Sequence, residues 1–213
     1  MITSKEEYQF YLEADKIALG IKKQKSGLLP TIWKFQRLLR KIEYYKNCKK
    51  SFIWKPYIIF LSTQFYIMSV FFGFTIPPNV FGPGLNICHV GTIIINHTAR
   101  VGANCRLHAM VSIGTQAGTI DKAPSIGNSV YIGPGAKIFG PIYIADGIAI
   151  GANSVVNKSF YEQNISIAGI PAKKISDKGS EGLIIKGTDM ASDIKFKNLK
   201  YKYKLNTNES QSS

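Results

Sequence analysis

The chain has 213 residues, 45% of them hydrophobic and 19% charged, which excludes a wholly disordered protein and leaves room for one or two domains with a sizeable core. Its 27 Lys and Arg against 13 Asp and Glu give a net charge of +14, carried at the two ends: +8 in residues 1–55, +2 in 56–172 and +4 in 173–213. Basic ends favour anionic partners such as lipid headgroups, acidic polymers or phosphates, while the lack of a zinc finger, helix-turn-helix or aromatic-interleaved RNA motif argues against nucleic acid.

The three cysteines, Cys48, Cys88 and Cys105, are odd in number and show no metal-ligand spacing, so a reducing compartment is expected; the three histidines, His89, His97 and His108, lie 8 and 11 residues apart, so no metal is expected. The start, MITSKEEYQFYLEADK, has no basic segment followed by an apolar one, so no signal peptide is expected. Residues 3–20 read as a helix capped by Thr3 or Ser4, with Glu6 and Glu7 in its first turn. Residues 31–47 read as a second helix, apolar at Ile32, Trp33, Phe35, Leu38, Leu39, Ile42 and Tyr45, with Lys34, Arg37, Arg40 and Lys41 marking its polar side. Residues 57–74, YIIFLSTQFYIMSVFFGF, are long enough to span a membrane, but Ser62, Thr63 and Gln64 and the basic flank argue for a buried or interfacial helix ended by Gly73.

From residue 95 the sequence falls into hexads. Ile95, Val101, Leu107 and Ile113 are six apart, and the beat resumes at Ile126, Ile132, Ile138, Ile144, Ile150 and Val156. Gly102, Gly114, Gly127, Gly133 and Gly151 follow five of these, where glycine is expected to tolerate corner dihedrals. Ala99, Cys105, Val111, Val130, Ala136 and Ser154 lie four residues after an aliphatic position. A six-residue beat fits neither a helix nor an ordinary sheet; it fits a solenoid of short flat strands, three to a coil, with about five coils over residues 77–172. Residues 115–125, TQAGTIDKAPS, break the beat and must loop out. The hexads stop by residue 176; the basic-apolar stretch 195–204 is a candidate edge strand or anionic contact, and the end, NTNESQSS, is expected to be disordered.

The segments GFTIPPNVFGPGLNICHVGTIIIN, VGANCRLHAMVSIG, PSIGNSVYIGPGAKIFGPIYI, IGANSVV and AGIPAKKI lie in residues 73–175. They resemble the left-handed parallel β-helix acyltransferases, and among them the serine acetyltransferase branch. The expected organisation is a small α-helical region over 1–75, a left-handed β-helix acetyltransferase domain over 76–175, which is the part that carries the resemblance, and a basic, partly disordered tail over 176–213. The resemblance implies acetyl transfer from acetyl-CoA to a hydroxyl, a homotrimer with the donor groove between subunits, and a general base at His89. An imidazole suits that task, because a hydroxyl attacks a thioester well only as it loses its proton.

Counting back from Ile95, His89 takes an inward position. Either the first coil is distorted and presents His89 outward, or His89 is a core histidine. His108, one coil and one residue on, is a candidate for the acceptor side of the same corner; His97 reads as a surface residue, and Cys88 as packing. For the donor, the resemblance points to Gly114, Ala136 and Ser154 along the pantetheine groove and to Lys158, Lys173 and Lys174 near the phosphates. Three departures concern the acceptor. Serine acetyltransferases carry an aspartate immediately before the histidine, where this chain has Cys88. They carry an Arg-His pair before a proline in the protruding loop, where it has Lys122 and Ala123 before Pro124. They carry an aspartate fifteen residues before the histidine, where it has Phe74. Of these charges only Lys122 is kept. The expectation is therefore a cytoplasmic enzyme at the inner face of the membrane, acetylating a carbohydrate hydroxyl of a capsular or other surface polysaccharide by direct attack on the thioester. The alternatives are a serine O-acetyltransferase of cysteine biosynthesis and a non-catalytic solenoid scaffold bound to a membrane through residues 31–74.

Overall fold

The computed structural model describes residues 1–21, 31–191, 196, 198 and 199. Helix α1 (Lys5–Ala18) starts where Ser4 Oγ accepts the Glu7 N–H, and Glu7 reaches back to accept from the Thr3 backbone and hydroxyl. These reciprocal bonds satisfy donors that the first turn leaves open. Helix α2 (Ile32–Cys48) is capped by Thr31. Helix α3 (Lys55–Phe72) follows a short turn, Phe52–Trp54, and ends at Gly73, whose φ of 70° is the left-handed conformation that glycine adopts freely.

The solenoid has three faces. The first carries Phe74–Thr75, Ile93–Ile95, Ser112–Gly114, Lys137–Phe139 and Val155–Val156, paired in parallel in that order. The second carries Arg100–Val101, Ser125–Ile126 and Tyr143–Ile144, extended by single bridges at Phe81 and Phe160. The third carries Asn86–Ile87, Arg106–Leu107, Tyr131–Ile132, Ala149–Ile150 and Ser166–Gly169, closed by an antiparallel strand, Ala172–Ser176. Each face thus has five rungs, the five coils expected from the sequence. All ten hexad aliphatics are at most 4% exposed and form one core. The second small position of each hexad is also buried, from Ala99 to Ser154.

The glycines do a different job from the one expected. Gly102, Gly114, Gly127, Gly133 and Gly151 do not have positive φ. Gly102 is needed for close approach: a Cβ there would sit 2.6 Å from the Gly127 carbonyl oxygen of the next coil. The left-handed corner positions fall elsewhere, on Gly84, Asn104, Ser129 and Gly147 at one corner and on Met110, Gly135 and Asn153 at another.

The helices cover the open end of the solenoid. Arg40, assigned to the polar side of its helix by the pattern, is fully buried. Its guanidinium pairs with Asp15 at 2.8 Å and Glu43 at 3.0 Å, and donates to the Phe81 and Gly82 carbonyls of the first coil. Asp15 accepts the Leu85 N–H at 2.8 Å, and the Gln36 amide donates to the Leu85 carbonyl at 2.8 Å and accepts from the Ile87 N–H. Side chains of α1 and α2 therefore replace the missing neighbour of the first strand on the third face, whose backbone groups would otherwise lie unpaired.

The described part of the tail is ordered as a strap. Ser180 bonds to Gly147 and Ser129, Arg106 donates to the Leu183 carbonyl, and Thr188 pairs with Asn104. A short helix, α4 (Gly187–Met190), then packs on α1. Residue 196 reaches a second apolar cluster through the Phe10–Phe196 ring contact. The rest of the stretch 195–204, apart from 198 and 199, and the terminal NTNESQSS lie outside the described residues.

Candidate active site

His89 lies at the corner where the third face turns into the first. Within a regular coil six residues separate Leu107 from Ile113, but eight separate Ile87 from Ile95; Ile87 pairs with Leu107, and Ile95 with Ile113. The two extra residues fall in 88–92. Ile87 and Ile93 fill the interior, and His89 is exposed. The first of the two sequence readings is therefore the right one: a distorted first coil carries the histidine outward.

His108 occupies the same corner one coil on, with its ring centroid 5.7 Å from that of His89. It is half-buried and stacks at a tilt on Tyr131, 5.1 Å away. Burial, then the Arg106 guanidinium, then His89 hold its pKa below the ordinary histidine value. His108 therefore stays neutral at neutral pH, with one ring nitrogen able to accept and the other to donate.

Cys88 is more than packing. Its Sγ accepts from Arg106 Nε at 3.0 Å and lies 3.7 Å from His108 Nε2. Burial raises its thiol pKa against the opposing pull of Arg106, so it remains a thiol. Sequence reasoning missed Arg106 and Tyr131. Both sit one residue before a hexad aliphatic, Leu107 and Ile132, on strands of the third face whose outward side chains meet the corner. Gln36 and Arg40 were also missed as supports of this coil, although their i, i+4 spacing on the face of Ile32, Leu39 and Glu43 was there to be read.

The expected donor residues divide. Ala136 and Ser154 stack 18 residues apart on the histidine corner, as the register of Lys137 against Val155 requires. Both are fully buried, and the Ser154 hydroxyl is engaged within the chain, donating to the Gly151 carbonyl and accepting from the Gly169 N–H. Only backbone at these positions can line a groove. Gly114 is not on this corner: it pairs with Phe139, at the far end of the strands on the first face. Lys158 stands past that same far end, exposed over the Phe160 ring. Lys122 is exposed on the loop rooted there, whose base is closed by the Gln116 N–H to Lys122 carbonyl bond. Within one subunit, then, Gly114, Lys122 and Lys158 belong to a different corner from His89. Lys173 and Lys174 project from the antiparallel hairpin at the last coil; Lys174 is already paired with Glu162 and Asp177, and Lys173 is exposed. His97 is exposed at the first–second corner, as expected of a surface residue.

A groove of about 490 Å³ runs between α3 and the first face, walled by Phe65, Val70, Phe74 and Ile94. It contains no titratable side chain besides the Tyr66 phenol.

No family model matches the chain. The serine acetyltransferase of Synechococcus elongatus is 34% identical over 99 residues, 46% of this chain and 40% of that protein. In eight curated relatives, each a serine acetyltransferase by name, the matched stretches span between 40% and 54% of the relative's length. Among solved structures, the serine acetyltransferase of Neisseria gonorrhoeae in complex with serine is 27% identical, with a TM-score of 0.63 over 81% of this chain and 71% of that one. That of Brucella abortus in complex with coenzyme A is 26% identical, with a TM-score of 0.63 over 82% and 70%. The two structural matches extend over more of the chain than the solenoid alone. In fold and in sequence, then, the chain resembles the serine acetyltransferases of the hexapeptide-repeat class, with a left-handed parallel β-helix behind a helical cap.

Proposed function

We propose that this chain is an acetyl-CoA-dependent O-acetyltransferase in which His89 takes the proton from the attacking hydroxyl. The observation that carries the reading is the outward His89, set beside a second, neutral imidazole on a corner lined by the backbone of successive coils. In the reaction the acceptor oxygen bonds to the acetyl carbon as its proton passes to His89. The carbon–sulfur bond then breaks, and the proton is returned to the departing thiolate. Thioester and acceptor meet directly, so no acyl-enzyme is needed. General-base help of this kind is worth about 10²–10⁴-fold in rate. His108, neutral and within reach of the same substrate, hydrogen-bonds the acceptor.

For the acceptor, the relatives support L-serine over the carbohydrate expected from the sequence, because serine is what their names and one bound structure record. Arg106, beside Cys88, supplies a cation for a carboxylate. A carbohydrate remains the second reading for one reason. The chain from residue 44 to 120, which supplies both histidines, contains no Asp or Glu to meet a serine ammonium. A trimer would resolve this point and the split of the donor residues together: the far-corner loop with Lys122, and Lys158 with it, would come from a neighbouring copy. We assign residues 1–75 to the helical cap, 76–175 to the transferase solenoid and 176–213 to the strap and tail.

Thiol release from acetyl-CoA, measured with L-serine and with an acidic bacterial glycan side by side, tests this. Turnover on serine alone establishes the first acceptor and on the glycan alone the second. Release with neither acceptor, despite acetyl-CoA binding, removes both.

A further inference from the structure

The outer side of α3 carries Ile59, Phe60, Tyr66, Ile67, Val70 and Phe71, each more than half exposed. At the helical pitch these six fall in one sector about 140° wide, which they share with the exposed Thr63, whose hydroxyl donates to the Ile59 carbonyl within the helix. The opposite sector, Phe65, Met68 and Phe72, packs on the core. The helix is therefore apolar on both sides, and among the described residues only one side has a partner. The turn before it adds Phe52 and Ile53, 77% and 76% exposed. A contiguous exposed apolar surface of this kind marks a place of contact.

The charge around it identifies the partner. Lys46, Lys50 and Lys55 are exposed and Lys49 half-exposed around the start of the helix, with Lys49 over the Trp54 ring and Lys55 over that of Phe52. Among the described residues none of these lysines forms an ion pair. No acid occurs between Glu43 and Asp121, so the same surface of a second copy offers the lysines nothing to meet. An anionic bilayer meets both demands. An apolar helix face settles at the boundary of headgroups and acyl chains, and lysines and aromatic rings sit at headgroup depth. The helix lies on the bilayer and does not cross it, since no helix of the described residues is long and apolar enough to span.

We propose that α3 and the turn Phe52–Trp54 dock this protein on an anionic lipid surface, the apolar face inward and Lys46, Lys49, Lys50 and Lys55 among the lipid phosphates. The proposal stands apart from the reading of the acceptor. It does place the histidine corner near the bilayer, because the Phe72 carbonyl at the end of α3 accepts the Gly91 N–H two residues beyond His89.

Flotation of the full chain tests it, with vesicles of phosphatidylcholine alone and with phosphatidylglycerol added. The protein should float with the mixed vesicles, stay behind with the neutral ones, and be released by high salt. The K49Q/K50Q/K55Q variant should bind about a hundredfold more weakly. The F60S/I67S/V70S variant, altered only at exposed positions, should keep the wild-type melting curve and lose flotation. No flotation of the wild type overturns the proposal, as does flotation that neither variant weakens. So does a fall from oligomer to monomer in the serine variant, by light scattering, in a protein that never floated: that result gives the face to a second copy.

Discussion

His89 does its proposed work because two extra residues in the first coil lift it off the interior phase. The hexad count alone could not show this, since it continues the beat backwards through a segment that no longer keeps it; the resemblance picked the residue and the structure supplies its orientation. His108 was legible as a histidine one coil on, but its neighbours were not, because Cys88, Arg106 and Tyr131 come together only through the register of three coils. Its lowered pKa has a consequence for stability. The unfolded chain takes up this proton near pH 6.5 and the folded one resists it, so His108 favours the fold above that value and costs stability as the pH falls through it. Thermal melts at pH 7.5 and pH 5.5 should show a smaller acid loss in His108→Gln than in the wild type. An equal loss in both would mean that other groups set the acid sensitivity.

Along the solenoid the beat of six was fully legible, because a flat three-sided coil buries the same two positions on every face. The reason for the glycines was not. Sequence pattern shows where glycine recurs, but not whether the backbone needs its freedom or its lack of a side chain. Gly102→Ala distinguishes the two: its φ is ordinary, and its new methyl group must push into the backbone of the next coil. Urea unfolding should show a loss of about 1–3 kcal/mol, the usual cost of overpacking; a neutral result would mean that the coils part easily. In the helices, amphipathic reading fails at Arg40, since a charged residue on a buried face looks like a break in the stripe. Arg40→Ala leaves Asp15 and Glu43 buried without their cation and should cost about 3–5 kcal/mol in the same experiment. Burial already pushes the Glu43 carboxyl above its usual value, against the pull of Arg40, which is the same strain seen from the acid's side.

For the molecule as a whole, the helices do for the first coil what a sixth coil would otherwise do, and the strap ties the last coils back to α1 through Ser180, Leu183 and Thr188. Arg106 belongs to both the strap and the histidine corner, so order in the tail bears on the site. None of this could be read from residues 176–213, where the hexads stop and no other period replaces them. The division of the expected donor residues between two corners fits a site completed by a second copy. Light scattering in solution should therefore give three times the chain mass; a monomer that turns over would mean that one corner suffices. The central claim is that the outward imidazole at the first coil removes the acceptor's proton. Thiol release from acetyl-CoA by His89→Ala, with acetyl-CoA binding followed on the same sample, tests it most directly. Binding should persist while turnover falls by about 10²–10⁴-fold. Unchanged turnover would contradict the account.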